Sequence, residues 1–436
     1  MIQKRPTFTH PSARCDVYGK VKKLLLGCAI FGCLSFTRLD EYSPVVDVRR
    51  QDESSTEAAA GPTDEQKCVP LHLPHNLTFP SPMPPNATIA LEPKLGAHRC
   101  DRDAVFAVAA GYKLPQIILF VETLIQTGYR GDIVLGINSG DFAELQDFFQ
   151  YHQPQLIIYE LPLHCRHRPR GPICQIHTLY RSNTTGEYLQ DARRTRFAAM
   201  LRFELFWAWT TWYGPTSRIL VSDARDVFFQ TSPFDYSDEQ IDTTELTTST
   251  TLNVFQEDSL VRDSGANRNW LRNIYGAEIA DPMLDLPVIC SGTTMGGRIA
   301  MDMYLRAMVY QFDRTESTLF GGDQALHNYL IHSQQLNASS AISLSSSDGF
   351  TMRVISHPPG YGAVNTVGLT AMRKGPLKQI GVVDGQNRTL NQNGQLAPVV
   401  HMFDRDEGLR GIMQDQTDNL LAQWELTRNG AQQQRN

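Results

Sequence analysis

The chain has 436 residues, 41% hydrophobic and 20% charged, which gives enough apolar mass for one large globular domain or two ordinary ones. Its formal net charge of −6 excludes the basic footprint of a nucleic-acid binder. Eight cysteines at this length exclude a disulfide-dense scaffold.

The first 23 residues carry six bases (Lys4, Arg5, Arg14, Lys20, Lys22, Lys23) and one acid, Asp16. The apolar run Leu24–Phe36 follows, then Arg38, Asp40 and Glu41. Basic flank, apolar segment and acidic flank in that order predict a single-pass anchor with the C-terminal side in the lumen. The run is short, about 20 Å as a helix against roughly 30 Å of hydrocarbon, and snorkelling Lys22 and Lys23 close part of the gap. A cleaved signal peptide has an apolar core of this length, and a core helix is the plainer alternative. The first two options send the chain into the secretory pathway. Five Asn-X-Ser/Thr sites, at Asn76, Asn86, Asn183, Asn337 and Asn387, agree with that. Cys165 and Cys174 flank a short basic loop and can close it as a disulfide, or stand as unpaired thiols.

Gly61 to Pro93 holds 8 of the 24 prolines. With "QDESSTEAAAG" before it, the stretch 38–99 reads as an extended stalk. Order begins with "AVFAVAAGY" (104–112), a strand ending at small residues. "LPQIILFVETLIQTG" is a helix that starts at Pro115 and stops at Gly128. "DIVLGIN" is a strand, "DFAELQDFFQYH" an amphipathic helix and "QLIIYEL" a strand. After a basic loop a long helix runs from about Asp191 to Trp212, its aromatics at helical spacing reading as core. It feeds the strand "RILVSD". Strand–helix alternation with near-continuous apolar strands predicts a parallel sheet with helices on both faces, whose ligands bind at the carboxyl ends of the strands. The second half is less regular: "PVICSGTTMGG", a helix over 299–312, "GGDQALHNYLI" and "APVVHMFDRD". The tail 411–436 starts helical and ends polar and disordered.

Asp223 and Asp226 lie at the end of "RILVSD". Two carboxylates there can hold a hard divalent cation and leave coordination sites for phosphate oxygens. A salt bridge between Arg225 and one of the acids is the plainer alternative.

"ILVSDARDVFF" resembles the metal motif of GT-A-fold glycosyltransferases, in which an apolar strand ends in Asp-X-Asp. It departs from that motif in having Arg225 third and the second acid one residue later, and is closer to the Asp-X-X-Asp variant of the collagen-glycosylating lysyl hydroxylases. The resemblance implies that Asp223 and Asp226 bind manganese and that Arg225 points elsewhere. "GGDQALHNYL" resembles a segment of glycogenin-like retaining transferases, which implies that Asp323 and Gln324 lie near the transferred sugar and that Asn328 is structural or at the rim. "CSGTTMGG" falls where that family has an Asn-X-Gly strand. Cys290 replaces the asparagine, so Ser291 and Gly292 alone carry over as donor contacts. "PVVHMFDR" places His401 where many such enzymes supply a third metal ligand. Arg202 falls where glycogenin-like enzymes keep a cation facing the diphosphate, with Arg196 the competitor. The stretch from Asp101 to Arg405 is also similar to plant and protist nucleotide-diphospho-sugar transferases, with "RFELFWAW", "CSGTTMG" and "DQALHNYL" among the shared segments.

What the resemblance implies is a GT-A α/β domain over 100–410, Rossmann-like, behind a cytoplasmic tail (1–23), a signal-anchor (24–37) and the stalk. The expected activity is transfer of a sugar from a nucleotide-diphosphate donor to a glycan, glycoprotein or other hydroxyl acceptor with Mn²⁺ or Mg²⁺. The expected location is the Golgi or endoplasmic reticulum membrane, type II. Ala110, Gly111 and Tyr112 would meet the nucleotide, Tyr112 by stacking on the base, and Asp258 and Glu257 are secondary candidates beside the reacting centre. A glycoside hydrolase and an inactive sugar-binding ectodomain are the rival classes.

Overall fold

In the computed structural model, which describes residues 68–73, 79–169, 171–236, 249–338 and 352–435, alternate residues of each apolar run bury on opposite faces of one sheet. A short β1 (Ala87–Ile89) precedes β2 (Ala104–Val108). Ala104 and Phe106 of β2 pack into one core and Val105 and Ala107 into another, so the strand is covered on both sides. Helix α1 (Leu114–Gln126) begins where the Gln116 side chain accepts from the Lys113 backbone N–H at 3.0 Å, and Pro115 occupies its first turn. It ends before Gly128, whose φ of 84° suits only glycine. There follow β3 (Asp132–Asn138), α2 (Phe142–Tyr151), β4 (Leu156–Leu161), the hairpin β5 (Leu163–Arg166) and β6 (Ile173–Ile176), then β7 (Tyr180–Ser182) and β8 (Arg196–Phe197).

Helix α3 (Ala198–Thr210) is buried from Met200 to Thr210, so its tryptophans are core, as their spacing predicts. After it come β9 (Arg218–Ser222), β10 (Val227–Phe229), β11 (Thr251–Leu260), α4 (Gly265–Tyr275), β12 (Pro287–Gly297), α5 (Arg298–Thr315) and α6 (Gly322–His332). The chain finishes with β13 (Arg353–His357), β14 (Val364–Thr366), β15 (Val399–His401) and α7 (Glu407–Arg435). The seven-stranded sheet runs β13-β11-β12-β9-β2-β3-β4. The β9-β2-β3-β4 half is parallel, β12 is antiparallel to both its neighbours, and β13 is parallel to β11. Side chains of α3 and α5 fill one core, and those of α1, α2 and α7 the other. The expected mostly parallel α/β sheet with helices on both faces is the one present.

Two boundaries differ from expectation. Much of the segment read as stalk belongs to the folded unit. Leu73, Phe79, Ala87 and Leu91 are buried, β1 pairs with β7, and Cys68 is disulfide-bonded to Cys100. Arg298 and Arg306 of α5, both buried around Asp302, donate to the carbonyls of Leu71 and Leu73. Prolines do not forbid an extended chain that pairs at an edge and inserts single apolar anchors. The tail is helical through Arg435. Leu409, Met413, Leu420 and Trp424 form its buried stripe, with Trp424 edge-on to Phe148 at 5.3 Å. The anticipated anchor (24–37) lies outside the described residues, and among the described residues no helix is long and apolar enough to cross a membrane.

Candidate metal centre

Strand β9 is parallel to β2 and stops at Ser222, so Asp223 emerges at the carboxyl end of the sheet. Its backbone N–H donates to Gly292 O at 2.7 Å, which fixes the turn against β12. Three residues on, β10 pairs antiparallel with β15, Val227 opposite His401, and Met402 N donates to Asp226 O at 2.8 Å. That small sheet carries His401 to the acids. Its Nε2 lies 3.4 Å from Asp223 Oδ2 and 3.9 Å from Asp226 Oδ1, and one ligand atom from each of the three residues falls within 4.8 Å of the others.

The residues fit a divalent cation on three grounds. The donor set is two carboxylate oxygens and an imidazole nitrogen, which suits Mn²⁺ or Mg²⁺. His401 Nε2 is buried with no hydrogen-bond partner among the described residues. A Cβ at Gly292 would stand 2.6 Å from Asp223 Oδ2 and 2.8 Å from His401 Nε2, so this glycine leaves open the space between the ligands. Arg225 is half exposed and reaches out to Asp404 at 3.3 Å; its approach to Asp226, 3.8 Å, is looser.

Arg202, on the buried face of α3, bridges the centre to its neighbours. Its guanidinium donates to Asp223, to Ser291 O at 3.2 Å and to Asp323 Oδ2 at 3.2 Å. Burial alone would raise the Asp223 pKa, but Arg202 and His401 outweigh it and hold that carboxyl well below the usual range. Asp226, whose nearest arginine contact is the looser one to Arg225, is pushed up by burial and then by Asp223. Asp323 is also pushed up by burial, against the pull of Arg202. Burial lowers His401, yet Cys290, Asp223 and Asp226 together raise it well above the ordinary histidine value.

Glycines 321 and 322 let the chain turn tightly into α6, whose first turn presents Asp323 and Gln324. Ser291 Oγ donates to Asp323 at 3.3 Å, and Ser291 N donates to Gln324 Oε1 at 2.8 Å. Gln324 Nε2 donates to Ile289 O at 2.9 Å and to Glu257 Oε1 at 3.2 Å. Asn328 is structural: its amide exchanges hydrogen bonds with the Ile289 backbone at 2.9 and 2.8 Å. Ala110, Gly111 and Tyr112 follow the carboxyl end of β2, and Tyr112 is half-buried. Burial and then the charge of Asp223 raise the Tyr112 pKa, which places its hydroxyl in the field of the acids.

Arg196 is not brought to this centre. Its guanidinium pairs with Asp191 at 2.8 Å and Glu204 at 2.5 Å, and Glu204 also accepts from Arg193 at 2.7 Å and Tyr180 at 2.8 Å. Asp258 ion-pairs with Lys374 instead of joining the acids. Two further residues do belong to the centre. Cys290 Sγ lies 3.5 Å from His401 Nδ1, behind the ligand. Glu257 is buried beside Gln324 and pushed up to about 7, first by burial. Of the two secondary candidates in "FQED", Glu257 is therefore the one that reaches the centre, and the replacement of an expected asparagine was the signal for Cys290.

No family model and no curated protein matches the sequence. Among solved structures, the chain is similar to the galactosyltransferase LgtC in complex with donor and acceptor sugar analogs, at 11% identity and TM-score 0.39, over 73% of this chain and 95% of that one. Mouse xyloside xylosyltransferase 1 is similar at 11% identity and TM-score 0.36, over 69% of this chain and 97% of that one. The glycosyltransferase GlyE of Streptococcus pneumoniae is similar at 12% identity and TM-score 0.38, over 75% of this chain and 64% of that one.

Proposed function

We propose that this chain is a metal-dependent glycosyltransferase that moves a sugar from a nucleotide-diphosphate donor to a hydroxyl acceptor. The observation that carries the proposal is the convergence of Asp223, Asp226 and His401 on one point at the carboxyl end of a parallel strand, with Asp323 and Gln324 held beside them.

Asp223, Asp226 and His401 would hold Mn²⁺ or Mg²⁺, which when bound supplies Lewis-acid stabilisation of the departing diphosphate. Arg202 keeps Asp223 ionised and fixes Asp323 relative to it. Its positive charge, buried between the two acids, also adds to the field that a departing diphosphate meets. Tyr112, at the end of β2, offers its ring to the nucleobase. Asp323, pushed up by burial against the pull of Arg202, stands beside the reacting centre, and Gln324 and Ser291 hold its helix turn against β12. The paired acids of a glycoside hydrolase flank a bond about 5–9.5 Å apart. Here an imidazole joins two carboxylates within 4.8 Å, which favours one ion over one glycosidic bond.

The proposed setting is luminal, on a type II anchor of the Golgi or endoplasmic reticulum. Support comes from the basic-apolar-acidic N-terminus and from the disulfides Cys68–Cys100 and Cys165–Cys174, which suit an oxidising compartment. Exposed Asn86, Asn183 and Asn387, each in an Asn-X-Ser/Thr site, agree.

A thermal-shift screen of the full chain against UDP- and GDP-sugars, with Mn²⁺ or with chelator, tests the proposal. One donor should stabilise the wild type only with Mn²⁺, and Asp226→Ala should remove that dependence. Equal donor binding in chelator, or by the variant, overturns the metal role.

A further inference from the structure

Beside Asp323 the rim of the centre carries an exposed aromatic side chain. Phe320 is 49% exposed and makes edge contacts with Phe197 at 5.9 Å and Trp270 at 6.2 Å. The next residue, Gly321, has φ 76°, and a Cβ there would stand 2.5 Å from Trp270 Cδ2, so the backbone lies pressed on that indole. Gly322 packs in the same way against Met200 of α3, two residues before Arg202. Phe320 is therefore a held ring rather than a loose one, three residues from Asp323.

The other wall is the disulfide-closed hairpin. Cys165 faces Cys174 across β5–β6, and β6 pairs with β8, Ile173 opposite Phe197. Its tip is a turn in which Gly171 N donates to Arg168 O at 3.0 Å, and a Cβ on Gly171 would lie 3.6 Å from Phe197 Cε1. Arg166 and Arg168 are exposed on this hairpin, and neither makes an ion pair among the described residues. The acids on the neighbouring elements are already matched: Asp191 by Arg196, Asp313 by Arg193 and Glu316 by Arg194. The hairpin thus carries uncompensated positive charge on a chain of net negative charge, and Phe197, against which Gly171 packs, joins it to the ring of Phe320.

We propose that Phe320 and the Arg166/Arg168 hairpin form an acceptor subsite for an anion-bearing pyranoside. The apolar face of the sugar would lie on Phe320, and its carboxylate or sulfate would meet the arginines. This rests on the transferase reading above, since it takes Asp323 as the reacting edge of the site. A uronate and a sulfate ester present the same chemistry to a guanidinium fork.

The test is binding of three disaccharides to the full chain with Mn²⁺, read by calorimetry. One ends in glucuronate, one is its carboxyl-reduced counterpart, and one is that neutral sugar bearing a single O-sulfate. At least one anionic sugar should bind about ten-fold more tightly than the neutral one. The pair of substitutions Arg166→Gln and Arg168→Gln should bring that ratio to about two-fold or less. Phe320→Ala should weaken all three sugars about ten-fold, and Phe320→Trp should restore them. Equal affinity for charged and neutral sugars, no measurable binding, or a ratio unmoved by the arginine substitutions overturns the subsite. Mn²⁺-dependent nucleotide-sugar binding, measured on the same samples, should persist in all variants. Its loss in the wild type would instead sink the transferase reading.

Discussion

His401 Nε2 stands 3.4 Å from Asp223 Oδ2, although strands of two different sheets bring them there. The parallel sheet delivers the acid and the small β10–β15–β14 sheet delivers the imidazole. The turn Asp223–Asp226 joins the two sheets. The acids are three residues apart because the chain must leave one strand and enter the other between them.

Mn²⁺ affinity should rise with pH. In the metal-free protein His401 holds a proton above the usual histidine range, because Cys290 and the acids outweigh burial. An ion must displace that proton, so affinity should increase about ten-fold per pH unit until the raised pKa is passed. Without metal the sign reverses: His401 stabilises the fold fully below its unfolded pKa, and the contribution fades as pH climbs through the folded value. Calorimetric titrations with Mn²⁺ in buffers of different ionisation enthalpy, from pH 6 upward, would show about one proton released or rule this out.

Gly292→Ala should close the centre with only modest damage to the fold. The new methyl group would fall among His401 and Asp223 side-chain atoms. Overpacking of this kind costs about 1–3 kcal/mol. Mn²⁺-dependent stabilisation should vanish while a cooperative melt remains. Metal binding at wild-type affinity would place the ion elsewhere.

Glu257→Gln should flatten the stability profile of the metal-free protein between pH 4.5 and 7. The folded pKa, about 7, exceeds the ordinary glutamate value of 4.5, so the group favours the fold most below 4.5 and the advantage is lost as pH rises through 7. At pH 8 the glutamine variant should be more stable by about 3 kcal/mol at most, and at pH 4.5 the two should coincide. Urea denaturation in chelator at both pH values measures this.

Arg196→Met and Arg202→Lys should separate structure from chemistry. The first strips Glu204 and Asp191 of a buried partner and should cost about 3–5 kcal/mol, yet leave donor affinity intact below the melting range. The second keeps a charge but loses the fork that spans Asp223 and Asp323, and should weaken donor binding. Loss of donor binding in the folded Arg196 variant would return that residue to the site.

The two disulfides should differ in weight. Cys165 and Cys174 are 9 apart in sequence and Cys68 and Cys100 are 32 apart. Loop-closure entropy gives about 2–3 kcal/mol for the first and about 4 kcal/mol for the second. Guanidinium melts of the paired alanine variants should rank in that order.

Much of the doubly wound half was legible because buried parallel strands read as unbroken apolar runs, as in "RILVS" and "DIVLGIN". The meeting of Asp223, Asp226 and His401 was legible through the motif resemblance, since no local pattern links β9 to β15. Arg196 was misplaced because position in sequence was weighed without orientation. Arg196 lies on β8, paired opposite Cys174, before α3 begins at Ala198, so helical spacing cannot bring it to the side that Arg202 faces. The described residues between Cys68 and Arg99 were misjudged because isolated anchors such as Phe79 have no period to detect. The C-terminal helix was obscured for a related reason: a few buried side chains are diluted among many polar ones.

The small sheet that carries His401 also sets the order in which the centre is built during synthesis. Arg202, Asp223 and Asp226 are close in sequence, so the arginine emerges shortly before the acid that it pairs with. The imidazole follows only after β11, β12 and β13 have been made, since β15 comes near the end of the chain. A nascent or truncated polypeptide that stops before β15 therefore carries the acids without their third ligand. On the proposed function, metal loading is therefore tied to near-completion of the domain.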